Sequence, residues 1–129
     1  MPVYDTPQSG SNSDLGLNLT CVIPGDSYTL FDGTETPAEN LASVAFARGP
    51  SPSMNDAGCT FYMSGCPADC AVDIQGANED LDTSYVTLLT LSPDANGNDG
   101  QTDTGRAQFY RALISAYSSG DMPVVTVQR

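Results

Sequence analysis

The stretch FYMSGCPADCAVDIQG, Phe61 to Gly76, sets two apolar runs on either side of Gly-Cys-Pro-Ala-Asp. Glycine and proline punctuate chains at tight turns, because one tolerates positive φ and the other fixes φ near −65°. The stretch therefore reads as strand, turn, strand, and in the simplest form as a β-hairpin. Gly65 and Pro67 shape the turn, and Val72 and Ile74 share one parity and are expected in a core. Two of the four cysteines, Cys66 and Cys70, flank the turn. Their spacing leaves a metal knuckle, a redox site, a disulfide clasp or a plain turn to be weighed.

The same grammar recurs along the chain. LGLNLTCVIPG alternates from Leu15 through Leu17, Leu19 and Cys21, and Pro24-Gly25-Asp26 ends it as a turn. SYTLF, ASVAFA, CTFYMSG, CAVDIQG, SYVTLLTLS and PVVTVQ read as further strands. SYVTLLTLS is the clearest, with Val86, Leu88 and Thr90 on one side and Tyr85, Thr87, Leu89 and Leu91 on the other. Thr36-Pro37 with Glu39 offers one helical turn. AQFYRALISAY fits both periods: Phe109, Leu113 and Tyr117 stand at helical spacing, yet the run also alternates. Its aromatic and β-branched residues, the glycine turn behind it and the Val-rich strand downstream favour strand, in a hairpin. ANEDLDT reads as an acidic connector, and PDANGNDGQTDTG as a long polar loop. The expectation is an all-β chain: an antiparallel β-sandwich, jelly-roll or Ig-like, of about eight strands.

The chain has 129 residues, enough for one domain with its own core. Residues 1–14, rich in Pro, Ser, Gly, Asn and Asp, read as an extended N-terminal arm with Val3 and Tyr4 as anchors. Residues 15–129 then form the single sandwich domain. The start, MPVYDTPQSGSNSDLG, lacks the basic and apolar regions of a secretory signal. Either the protein acts where it is made, in a cytoplasm, or a removed signal precedes this sequence. No apolar run is long enough to cross a membrane as a helix.

The net charge is −12, and all four basic residues are arginines: Arg48, Arg106, Arg111 and Arg129. Such a chain repels nucleic acid and anionic lipid, which need a basic surface. Neither histidine nor lysine occurs. That removes Ser-His-Asp and Cys-His nucleophiles, His-bearing zinc sites, Schiff-base chemistry and the P-loop lysine. The glutamates, Glu35, Glu39 and Glu79, all lie in connectors. The reading is therefore of a protein that is not an enzyme, with no catalytic residue, cofactor or metal.

Cys21, Cys59, Cys66 and Cys70 do not form two CxxC knuckles, and three residues, not two, separate Cys66 from Cys70. A Cys66–Cys70 disulfide across the hairpin mouth is sterically reasonable, and without a signal peptide free thiols are the default. Both stay open. Asp94, Asn96 and Asn98 have the one-three-five spacing of a calcium loop, with Asp103 as a further ligand. The glycine falls one place late at Gly100, and Gly105 stands where the bidentate glutamate belongs. A solvated loop around an Asn96-Gly97 turn is the plainer reading.

The C-terminal half resembles the small β-sandwich capsid decoration (cement) proteins of tailed bacteriophages. The likeness rests on Ser64, Gly65, Pro67, Val72, Ile74, Gln75, Gly76, Arg111, Ala112, Ile114, Ala116, Gly120, Val125 and Val127, across residues 61–128. ANEDLDT replaces that family's glycine-rich Asp-Gly hairpin, and the cysteine pair is an addition. The resemblance implies a structural virion protein on the outer capsid surface, with the major capsid protein as partner. It would form a homo-oligomer, dimer or trimer, at symmetry axes. The arm, through Val3 and Tyr4, and Arg48 are the residues expected to meet that partner. Arg111 is expected to pair with an acid on its own sheet. A carbohydrate- or receptor-binding module of a head fibre or tail is the second reading.

Overall fold

A computed structural model of the chain describes residues 27–48, 58–105 and 107–129. The arm with Val3 and Tyr4, the expected strand from Leu15, Cys21 and Arg106 lie outside the described residues. The described residues hold eight strands: β1 Ser27–Asp32, β2 Phe46–Ala47, β3 Cys59–Ser64, β4 Ala71–Ala77, β5 Val86–Leu91, β6 Asp99–Asp103, β7 Phe109–Ala116 and β8 Val124–Gln128. They form two four-stranded antiparallel sheets, ordered β1-β8-β3-β6 and β2-β7-β4-β5.

The pairings explain that order. β4 pairs with β5, β3 with β6, β2 with β7 and β1 with β8. This is one long antiparallel ribbon, with the β4–β5 connection at its tip. Folding the ribbon over adds the β3–β8 and β4–β7 ladders. The result is a jelly roll.

Two expected hairpins are therefore corrected. β3 and β4 lie in opposite sheets, and so do β7 and β8. Apolar alternation asks only that each strand bury one face, which two opposed sheets satisfy as well as one. The turn itself shows why the chain crosses. Gly65 has φ +65°, and the Cys66 amide donates to Gly97 O at 3.0 Å, in the β5–β6 loop, not to β4. The Cys70 amide donates to Pro67 O, closing the bend. Behind β7, the Tyr117 hydroxyl donates to Gly120 O at 2.8 Å across a similar crossing.

The core lies between the sheets. Phe31, Phe46, Phe61, Val72, Ile74, Leu91, Tyr110, Ile114, Val125 and Val127 are fully buried. Each such side chain contributes about 1.5–3 kcal/mol of burial. Val72 and Ile74 point inward as expected. Tyr110 stacks on Phe46 with centroids 5.4 Å apart and tilts against Phe61 at 5.5 Å. Thr36-Pro37 leads into no helix: the segment makes a turn closed by Leu41 N to Ala38 O, with Asn40 at φ +69°.

β6 arises inside the segment read as a polar loop. Its side chains zip the open seam between the sheets. Gln101 Nε2 donates to Thr90 O at 2.6 Å, Ser92 N to Asp99 Oδ2 at 2.9 Å, and the Tyr110 hydroxyl to Asp103 Oδ2 at 2.8 Å. On its outer side Thr102 bonds Thr60. Asp94, the first residue of the calcium-like spacing, caps its own loop by accepting from Asn96 N and Asn98 N. Among the described residues no three Cys, Asp or Glu side chains converge as a metal set.

Candidate functional site

The ribbon tip is the part of the fold that presents chemistry outward. Opposite β5, residues Ile74 and Gln75 pair with Leu89 and Thr87, so Leu88 is the extra residue of a β-bulge. The bulge turns Thr87 and Thr90 to the same face, where both hydroxyls donate to Asp73. It also breaks the alternation read in SYVTLLTLS, separating Thr90 from Val86 and Leu88. Leu88 lies across Gly76, where an added Cβ would stand 2.6 Å from Leu88 Cδ1. Glycine is required there by close packing. Val86 and Leu88 remain 61% and 40% exposed, and Leu81, in the connector that precedes β5, is exposed too.

The tip is held from below by Arg111. Its Nε donates to Gln75 Oε1 at 2.9 Å, its Nη1 pairs with Asp82 Oδ1 at 2.7 Å, and its guanidinium lies 4.0 Å from the Tyr85 ring centre. The Tyr85 hydroxyl donates to Asp80 at 2.7 Å. Partial burial, then that bond, raises the phenol's pKa above its ordinary value. Arg111 thus pairs with an acid of its own sheet's connector, as expected. Asp82 is 94% exposed, so the ion pair itself contributes little. Asp82→Asn is expected to change stability by less than about 0.5 kcal/mol. Arg111→Met, which loses the Gln75 bond and the Tyr85 contact as well, is expected to cost about 1–2 kcal/mol. Urea melts of both variants check the ordering.

The three cysteines among the described residues sit in surroundings that keep a thiol protonated. Cys59, Cys66 and Cys70 are buried free thiols, so the structure shows no Cys66–Cys70 bridge. Cys66 Sγ donates to Cys70 O at 3.6 Å. Burial, reinforced by Cys70, pushes the Cys66 thiol up to about 12. Burial raises Cys70 too, and raises Cys59 against the opposing pull of Arg48 and Arg129. A nucleophilic or redox-active thiol needs the opposite environment.

The chain matches no family model, no curated protein and no solved structure. The site is read from its own geometry. Arg48, one of the residues expected to meet a partner, is buried beside Cys59 within the chain. Its amide donates to Gln108 O, and its carbonyl accepts from Arg129 Nη1. Composition marked Arg48 as a rare cation, but gave no sign that it would be buried beside Cys59. The Arg111–Tyr85 contact had no local signal either, since 26 positions separate the two.

Proposed function

We propose that this is a structural virion protein that decorates an icosahedral phage capsid and bridges neighbouring subunits of the major capsid protein, as a homo-oligomer at symmetry axes. The observation that carries the reading is the ribbon tip: exposed apolar Val86 and Leu88 at the start of β5, with Leu81 exposed in the connector before it. Among the described residues β5 ends its sheet and is met by β6 side chains only at its far end, at Thr90 and Ser92. An open edge offers backbone donors and acceptors to a partner strand, and apolar side chains beside it supply burial. The jelly roll is a fold that viral shell proteins share with lectins, which is support by analogy. Many copies on one shell make modest single contacts sufficient. The strong negative charge suits a protein crowded on a surface without self-aggregating. The arm, with Val3 and Tyr4, makes the second contact.

Shells stripped of the protein are expected to co-sediment with it when it is added back, and to melt at higher temperature. Val86→Asp is expected to lower occupancy at least about tenfold, a hot-spot-sized loss, with the protein's own melting unchanged. Deleting residues 1–14 is expected to lower occupancy as well. Folded wild-type protein that stays in the supernatant with stripped shells overturns the proposal.

A further inference from the structure

A second surface lies on the outer face of the other sheet. Tyr62, in the middle strand β3, stands between Gly100 of β6 and Thr126 of β8. Its ring packs against the bare Cα of Gly100: a Cβ built there would meet Cδ1 at 3.2 Å and Cε1 at 3.4 Å. Half of the tyrosine remains exposed, at 50%. A glycine beneath an exposed aromatic gives the ring a flat seat and leaves room at its side.

That room is a recess of about 630 Å3, walled by Ser64, by Ser92, Asp94 and Asn98 from the β5–β6 loop, and by Asp99 at the start of β6. It is a wide, open depression that would hold a ligand by one face. The walls are built in advance. Asp94 caps the loop through Oδ1, and Gly97 ties it to Cys66. Gly97 has φ +81°, and a Cβ on it would stand 2.9 Å from Cys66 O. Asp99 is also fixed. Desolvation raises its pKa, but bonds from Gln101 Nε2, Ser92 N and Gly100 N outweigh that and hold it below the ordinary carboxylate range. It therefore stays ionised and accepts hydrogen bonds. Asp94 Oδ2 and the Asn98 side-chain amide have no bond among those described.

We infer that this recess binds a neutral saccharide, with one sugar ring stacked on Tyr62 and its hydroxyls bonded to Asp94, Asn98 and Asp99. A pyranose carries an apolar C–H face and an edge of hydroxyls, each both donor and acceptor. An aromatic platform bordered by carboxylate and amide groups matches both halves. The two carboxylates, on a chain of net charge −12, exclude sialic acids, uronates and sugar phosphates. The inference uses a different face from the ribbon tip and does not depend on shell binding.

The test is a panel of neutral hexose and N-acetylhexosamine oligosaccharides beside sialylated and uronate counterparts, titrated by calorimetry into the full chain. Wild type is expected to bind at least one neutral glycan and no anionic one. Tyr62→Ala is expected to weaken that binding at least about tenfold, and Asn98→Ala severalfold. Both positions are exposed, so unchanged melting temperatures confirm that the variants fold. Tyr62→Phe, which keeps the ring, is expected to retain most of the affinity. Three results overturn the inference: no neutral glycan bound at millimolar concentration, anionic glycans bound as well as neutral ones, or undiminished binding by folded Tyr62→Ala.

Discussion

Tyr110→Ala is expected to remove about 3–5 kcal/mol of stability, the loss that follows truncation of a fully buried aromatic. The ring is fully buried and touches both Phe46 and Phe61, so it joins the two sheets at their centre. Its backbone pairs with Phe46 of β2 and Gly76 of β4 in one sheet, while its hydroxyl reaches Asp103 of β6 in the other. Truncation leaves a cavity that the surrounding strands, fixed by their ladders, cannot collapse to fill. Native domains hold about 5–15 kcal/mol in all, so this one change takes a large share. Tyr110→Phe separates the two contributions. It keeps the ring and deletes the hydroxyl, whose bond to a carboxylate contributes about 1.5–3 kcal/mol at most. Asp103 is half-buried and recovers part of that from water, which puts the expected cost near 1–2 kcal/mol. Guanidinium melts give the comparison directly. If the Phe variant lost as much as the Ala variant, the seam bond and not the ring would be the main tie between the sheets.

Which parts of the fold were legible in the sequence follows from what each residue's period reports. Alternation marks a strand that buries one face, so β1, β3, β4, β5, β7 and β8 were all readable, as was the inward placement of Val72 and Ile74. Alternation does not say which strand is the neighbour. Phe61–Gly76 carries an apolar strand on each side of a short turn whether the chain reverses within a sheet or crosses to the opposite one. What decides is a bond from Cys66 N to Gly97 O, between residues 31 positions apart. β6 was hidden for another reason. DGQTD has no apolar residue, because an edge strand closing a seam uses polar side chains toward its neighbours. The calcium-like spacing drew attention to those same acids for the wrong property: Asp94 binds backbone amides, and Asp103 accepts from a tyrosine. The true hairpin of the fold is the one joining CAVDIQG to SYVTLLTLS through the acidic connector. Its bulge at Leu88, which sets the exposed corner, left no mark beyond Gly76. The recess beside Tyr62 depends on Gly100 standing opposite it in a strand the sequence did not reveal.

Raising the pH is expected to unfold this protein steeply, through the same thiols that looked at first like a reactive pair. An ordinary thiol ionises near 9.0, whereas Cys66 in the fold is held protonated up to about 12. Cys70 and Cys59 are shifted in the same direction by burial. The half-buried phenol of Tyr85 and the buried phenol of Tyr110 are also raised above their ordinary 10.0, by desolvation and then by Asp80 and Asp103. A folded-state pKa above the unfolded value fixes the sign. Below pH 9 both states hold their protons and these groups leave stability flat. Above it the unfolded chain loses protons that the fold retains, so stability falls as pH rises toward 12. Cys66 contributes a slope of about 1.4 kcal/mol per pH unit in that window. Cys70 and Cys59, raised in the same direction, add to the decline. Denaturant melts from neutral pH to about pH 11 measure the slope. Cys66→Ala with Cys70→Ala is expected to be less stable at neutral pH, because two small core groups are lost, yet to decline more gently above pH 9. Iodoacetamide at mildly alkaline pH is expected to label the folded protein at least about a hundredfold more slowly than the denatured chain, since thiolate is the reacting form. A flat stability profile to pH 11 overturns this account of the cysteines. So does a disulfide found by mass between Cys66 and Cys70 in protein prepared without oxidant.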